Sequence, residues 1–284
     1  MEIKRVGIVG SGIMGSGIAE VASKAGIEVV LRSRAQETAD AMVAGLERSL
    51  AKQVDKGRLE AGERDAVLGR VRAVTDLGDL AESDLVVESI VEDLPTKQAL
   101  FAELDEICAE TAVLATNTST LPVVELANRT ARADKVVGIH FFNPAPMMAL
   151  VELIPAITTS EETLASARAF AETCGKSPVE VKDRAGFIVN RLLFPYINNA
   201  IRLYDAGNAS REDIDIAMKG GCNFPMGPLE LADLVGLDTT LAILDALYDE
   251  YRDPNYSPSP LLRRLVGAGR LGRKTGQGFY DHRR

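Results

Sequence analysis

Apolar residues in the first half of the chain come in short, β-branched runs separated by longer mixed segments. Residues 5–10 (RVGIVG), 27–31 (IEVVL), 84–88 (DLVVE), 112–116 (AVLAT), 135–140 (KVVGIH) and 150–154 (LVELI) read as strands, with a further run near 178–181. Helical or mixed polar segments separate the runs from 27 to 135, which predicts a largely parallel, doubly wound α/β sheet. Residues 38–70 form a long polar stretch that reads as a helical hairpin inserted into this pattern.

After about Asp183 the alternation stops. Residues 187–204 (FIVNRLLFPYINNAIRLY) are apolar on most sides and predict a buried helix, with Pro195 as a kink. Ser210 followed by acidic residues reads as a helix cap, Pro228 as the start of the next helix, and residues 241–251 and 261–268 as two more. The expected organisation is therefore an α/β domain over residues 1–183 and an all-α domain over 184–284.

The turn after the first run sharpens this picture. Gly10-Ser11-Gly12-Ile13-Met14-Gly15 lies between a strand and a helix-like segment and is followed by a second strand, all within about thirty residues. In this setting Gly10 permits the turn, Gly12 lets backbone approach a pyrophosphate, and Gly15 lets helix and strand pack closely. The expectation is a Rossmann-like dinucleotide site; the plainer reading is that the glycines only terminate a buried strand.

Composition adds exclusions. The 284 residues, 46% hydrophobic and 26% charged, suit a folded two-domain protein. A net charge of −9 argues against nucleic acid as a partner, and no apolar run reaches the length of a signal core or membrane span. A cytoplasmic location is expected. Cys108, Cys174 and Cys222 have no metal or redox spacing, so reduced thiols and no metal site are expected.

Four polar residues stand out against apolar surroundings. Of the two histidines, His282 lies in a frayed-looking terminus, while His140 ends a strand just before FFNPAP, where open α/β sheets place their ligands. Glu152, inside LVELI, is costly unless paired, and an imidazole is a suitable partner; an exposed edge-strand glutamate is the alternative. Asn190 interrupts FIVNRLLF in the same way, and Ser119 in TNTST is either a site residue or a turn former.

Together these stretches resemble the L-3-hydroxyacyl-CoA dehydrogenase family, in particular its short bacterial 3-hydroxybutyryl-CoA dehydrogenase type. The matching segments run from end to end: VGIVGSGIMGSGIAE, VVESIVEDLPTKQALF, ATNTSTLP, GIHFFNPAPMMALVELI, DRAGFIVNRLLFPY, GCNFPMGPLELADLVGLD and GRKTGQGFY. The resemblance implies interconversion of acetoacetyl-CoA and (S)-3-hydroxybutyryl-CoA by hydride transfer with a nicotinamide cofactor. It implies His140 as acid/base, Glu152 as its orienting carboxylate, and Ser119 and Asn190 around the substrate's reacting oxygen. Gly10, Gly12, Ile13, Met14, Gly15, Glu92, Lys97, Asn117, Ser119, Asn143 and Lys274 are then expected on the cofactor side. Ser49 and Lys56 in the hairpin would contact coenzyme A, with Lys52 one turn away. Thr116 and Thr120 stand where the family usually has serine. A homodimer is also implied.

Two rival readings are weaker. A dehydrogenase of the 6-phosphogluconate type would need a lysine in residues 187–204, which contain none. A non-catalytic dinucleotide-binding protein, as the lens λ-crystallins suggest, would not need Ser119, His140, Glu152 and Asn190 together. One departure bears on the cofactor. Where relatives commonly have aspartate after V-V-L-R, this chain has Ser33, followed by Arg34. Losing a carboxylate that binds the ribose hydroxyls of NAD, and gaining a guanidinium, predicts a preference for NADP through Arg32, Ser33 and Arg34. An NAD-dependent enzyme of fatty-acid oxidation is the alternative. In a fully extended chain Ser33 would face away from both arginines, so the chain must turn after Leu31 for them to converge.

Overall fold

A computed structural model of the chain describes residues 1–283 and divides into two compact units, Met1–Asp183 and a second beginning at Arg184. In the first unit, strands β1 (Arg5–Val9), β2 (Glu28–Arg32), β3 (Val71–Val74), β4 (Leu85–Glu88), β5 (Val113–Thr116), β6 (Val136–Phe141), β7 (Leu150–Pro155) and β8 (Ser177–Glu180) form one sheet. Their order is β3-β2-β1-β4-β5-β6-β7-β8. Every pairing is parallel except β6 with β7. Strand order reverses between β1 and β4, which opens a crevice at the carboxyl ends of these strands.

Helices α1 (Ile13–Lys24), α2 (Gln36–Asp55), α3 (Ala61–Gly69), α4 (Leu94–Ile107), α5 (Val123–Ala127) and α6 (Glu161–Thr173) connect the strands. β4, β5 and β6 are buried at every position, the signature of parallel strands covered on both faces. On one face Ile8, Val29, Leu31, Val87, Ile139 and Leu153 pack with Ile18 of α1 and Phe170 of α6. The inserted hairpin is α2 and α3, broken at Gly57, whose φ is +64°, and held by Leu46, Leu50 and Val67.

The sequence reading passed over β3. Its VRAV sequence is exposed or half-buried until Val74, so it carries too little apolar character to register as a strand. It forms one edge of the sheet.

The second unit is helical: α7 (Val189–Asp205), α8 (Arg211–Cys222), α9 (Pro228–Val235), α10 (Leu237–Tyr251) and α11 (Pro260–Gly267). Phe187 has φ +47°, so α7 begins two residues later than its apolar pattern, and it runs as one helix through Pro195. Phe194, Ile197 and Ile201 pack on Leu229, Leu244 and Leu262.

The segment 279–282, which includes the His282 expected to lie in a frayed end, is held in place. Buried Asp233 accepts hydrogen bonds from the backbone N–H groups of Phe279 and Tyr280, both at 2.8 Å, and pairs with His282 Nε2 at 2.9 Å. A second buried carboxylate, Asp215, accepts from Leu229 N, Glu230 N and the Tyr280 hydroxyl. Among the described residues no helix is long and apolar enough to cross a membrane.

Candidate active site

The glycine turn has the geometry its spacing predicts. Gly10 adopts φ +119°, and a Cβ there would sit 2.3 Å from the Ser89 carbonyl oxygen. A Cβ on Gly15 would sit 1.8 Å from the Gly10 carbonyl oxygen, so α1 packs this close to the turn only with glycine. Gly12 differs: nothing lies within 4 Å of such a Cβ, and no side chain caps α1. The unsatisfied N–H groups of the first turn thus face open space beside exposed Ile13 and half-buried Met14.

At the end of β2 the chain leaves the sheet after Arg32. Ser33 is only 2% exposed, and its hydroxyl lies 2.7 Å from that of Ser11 and 2.5 Å from that of Thr38. Thr38 donates its proton to the Ala35 carbonyl, so the protons run one way, from Ser11 to Ser33 to Thr38. Arg32 donates from Nε to the Thr75 carbonyl at 3.1 Å. Arg32 is therefore engaged by the backbone that follows β3. Arg34 is exposed and makes no ion pair among the described residues.

Beyond β4 lies an ionic cluster in which Glu88 and Lys97 are buried and Glu92 reaches the surface. Lys97, whose side chain is fully buried, donates to Glu88 Oε1 at 2.6 Å and meets Glu92 Oε2 at 3.1 Å. Glu92 Oε1 accepts from the Thr118 hydroxyl (2.6 Å), Ser119 N (2.9 Å) and Thr120 N (3.2 Å). Burial favours the neutral form of Glu92, but the Lys97 charge and the bonds from Thr118 and Ser119 outweigh it and hold the carboxyl below its ordinary value. Asn117 Oδ1 accepts from Phe141 N at 2.8 Å, tying the end of β5 to the end of β6. Glu88 and Thr118 escaped sequence reading. A carboxylate closing the apolar run DLVVE was the available signal for the first; a threonine in a threonine-rich turn gave none.

His140 and Glu152 are direct cross-strand partners in the antiparallel β6–β7 register, so their side chains project from the same face. His140 Nδ1 lies 2.8 Å from Glu152 Oε2, with the two side chains 8% and 0% exposed. Because β8 covers its other side, β7 is not an edge strand, and Glu152 is not the exposed residue its alternative reading required. The Phe142 ring lies 4.5 Å from the imidazole. In the loop that follows, Asn143 is exposed, and Lys176 donates to the Ala145 and Met148 carbonyls.

The hairpin meets the glycine turn. Gly12, Ile13, Gly17, Thr38, Gly45 and Ser49 are among the residues lining an open groove of about 660 Å³ between α1 and α2. Ser49 donates to buried Glu20 (2.9 Å), which also accepts from Lys24 (2.7 Å) and Gln53 (2.9 Å). Lys52 and Lys56 are exposed near the end of α2 and lie outside the groove lining.

In the second unit Asn190 is buried in the first turn of α7, and Lys274 pairs with Asp238 at 2.6 Å. The first unit thus brings together the glycine turn, Ser33, the Ser119 turn and the His140–Glu152 pair at the carboxyl ends of neighbouring strands.

Residues 5–184 match the family model described as 3-hydroxyacyl-CoA dehydrogenase, NAD binding domain, and residues 186–282 match that family's C-terminal domain. The chain is similar to a 3-hydroxybutyryl-CoA dehydrogenase of Mycobacterium tuberculosis, 47% identical over 99% of both chains. It is similar also to the mitochondrial hydroxyacyl-coenzyme A dehydrogenase of Homo sapiens, 46% identical over 99% of this chain and 92% of that one. Among solved structures, the (S)-3-hydroxybutyryl-CoA dehydrogenase PaaH1 of Ralstonia eutropha superposes with TM-score 0.97 at 43% identity over the whole of both chains.

Proposed function

The chain belongs to the 3-hydroxyacyl-CoA dehydrogenase family, and on that premise we propose that it interconverts acetoacetyl-CoA and (S)-3-hydroxybutyryl-CoA. The observation that carries this reading is the buried His140–Glu152 pair at 2.8 Å, at the carboxyl end of a sheet whose first turn fits a dinucleotide. The space over Gly12 and the uncapped N-terminus of α1 suit a pyrophosphate. A bound nicotinamide cofactor supplies the hydride for reduction of the 3-keto carbon and accepts it in oxidation.

The chain's own residues manage the proton. With Nδ1 bonded to Glu152, Nε2 of His140 is assigned to give a proton to the developing alkoxide in reduction and to take it from the hydroxyl in oxidation. Glu152 orients the ring and stabilises the imidazolium without taking the proton itself. Ser119 and Asn190 hold the reacting oxygen. Asn117, Asn143, Glu92, Lys97 and Lys274 serve the cofactor side, and the burial of Lys97 assigns it an indirect part through Glu92. Ser49, Lys52 and Lys56 bind coenzyme A.

NADP(H) is the preferred cofactor in this reading. Position 33 carries no carboxylate to repel a 2′-phosphate, and Arg34 is exposed beside it. One observation favours NAD(H) instead: the hydroxyl series from Ser11 to Thr38 spends its protons internally, so it accepts from a ribose hydroxyl more readily than it donates to a phosphate. The exposed apolar Leu192, Ile216 and Phe224 of the helical unit suit a homodimer, and the cytoplasm suits the charge and sequence pattern. The test is reduction of acetoacetyl-CoA by the purified protein with NADPH and NADH in turn. Turnover is expected with both and faster at low concentration with NADPH; no turnover with either would refute the function.

A further inference from the structure

We propose that Glu88 is a positioning residue for this reaction: it closes a hydrogen-bonded ring that fixes the turn at residues 117–120 and so sets the place of Ser119. The inference rests on the assignment of Ser119 to the reacting oxygen. Around the ring, Glu88 Oε2 accepts from the Thr116 hydroxyl (2.7 Å), and Thr116 Oγ1 accepts from Thr118 N (3.1 Å). The Thr118 hydroxyl donates to Glu92 Oε1 (2.6 Å), Glu92 Oε2 meets Lys97 Nζ (3.1 Å), and Lys97 returns to Glu88 Oε1 (2.6 Å). Glu88 joins the two arms of the ring, bonding Thr116 at the end of β5 with one carboxylate oxygen and Lys97 on α4 with the other.

Burying Glu88 and Lys97 completely is expensive, and well-packed neutral side chains of the same volume often fold as well or better. Stability alone therefore gives no reason for the pair. What the charges supply is a fixed cation for a third group, Glu92, whose other oxygen gathers three donors from a single turn. The charged groups facing Glu92 are Lys97 from α4 and, through it, Glu88 from β4; the turn contributes only uncharged donors. Neutralising the pair leaves Glu92 easier to protonate, and a protonated Glu92 holds the turn less firmly.

The test compares wild type with Glu88→Gln, Glu88→Gln/Lys97→Met and Thr118→Val in acetoacetyl-CoA reduction, with thermal unfolding of each. Glu88→Gln alone leaves a buried cation with one counter-charge, so it should unfold at lower temperature. The double variant should regain stability while kcat stays at least ~10-fold below wild type, with little change in KM for acetoacetyl-CoA. The acid limb of its kcat profile should move to higher pH, a change that a purely structural pair would not cause. Thr118→Val keeps every charge, so it tests the same linkage should the double variant not fold, and it should show the same kcat loss. Wild-type kcat with an unmoved acid limb in the double variant, or wild-type kcat in Thr118→Val, would overturn the positioning role. A wild type inactive on acetoacetyl-CoA would instead overturn the functional reading beneath it.

Discussion

Replacing Ser33 with aspartate should reverse the cofactor preference. Ser33 is 2% exposed and lies within 2.7 Å of the Ser11 hydroxyl and 2.5 Å of the Thr38 hydroxyl. A carboxylate at this position can accept from the Ser11 hydroxyl, whose proton already points to position 33, and it should accept from the ribose hydroxyls of NAD and repel a 2′-phosphate. The attraction that Arg34 offers that phosphate in the wild type is on the order of 4 kcal/mol at ~4 Å and an effective dielectric of ~20, before solvent competition. Arg34 is exposed, which leaves a net ~1.5–3 kcal/mol, or roughly 10–10² in kcat/KM. The assay is kcat/KM with NADPH and NADH for wild type, Ser33→Asp and Arg34→Ala. Arg34→Ala should lose about tenfold with NADPH and change little with NADH, and the wild-type preference should shrink as salt rises, because an exposed guanidinium is screened. A wild type that prefers NADH, or a Ser33→Asp variant with an unchanged ratio, would refute the reasoning.

Removing both hairpin lysines, Lys52→Ala/Lys56→Ala, should raise KM for acetoacetyl-CoA several-fold (about 1 kcal/mol) and spare a truncated thioester without the nucleotide; equal effects on both would remove the lysines from coenzyme A recognition. Burial opposes ionisation of Glu20, but the hydrogen bonds from Lys24 and Gln53, the Lys24 charge and Ser49 outweigh it and hold the carboxyl below its ordinary 4.5. Its folded pKa is thus depressed, so its contribution to stability is complete above about pH 4.5 and is lost as pH falls through the folded value. Thermal unfolding from pH 7 to pH 3 should show that loss in wild type and a shallower slope in Glu20→Gln; identical slopes would exclude Glu20 as a contributor.

The features that repeat along the chain were legible in it, and those that depend on register or on one distant partner were not. β-branched runs and the glycine spacing announce the sheet and its first turn because each residue there acts on its immediate neighbours. β3 was hidden by its polar, half-exposed edge, where pattern carries little information. His140 and Glu152 attract notice separately as polar residues in apolar strands, and the family resemblance implies that they pair, but the cross-strand register of β6 and β7 that sets them opposite one another had no signal in the sequence. Glu88 and Lys97 are nine residues apart across a strand end, a turn and a helix start, a spacing with no period to detect. His282 looked like a loose end because its partner, Asp233, lies 49 residues away inside an ordinary-looking helix. Ser33 is legible only as a lost carboxylate, and Ser11 and Thr38 draw no notice; the bonding of the three hydroxyls in line arises from the fold.

The central claim is that His140, held by Glu152, moves the proton. It is tested most directly by the turnover of His140→Gln with acetoacetyl-CoA and reduced cofactor, measured beside its cofactor affinity. Glutamine can keep a hydrogen bond to Glu152 but cannot exchange a proton at neutral pH. The account predicts kcat lower by at least ~10², with the fold intact and cofactor affinity within about threefold of wild type. A folded His140→Gln that reduces acetoacetyl-CoA at close to the wild-type rate would contradict it.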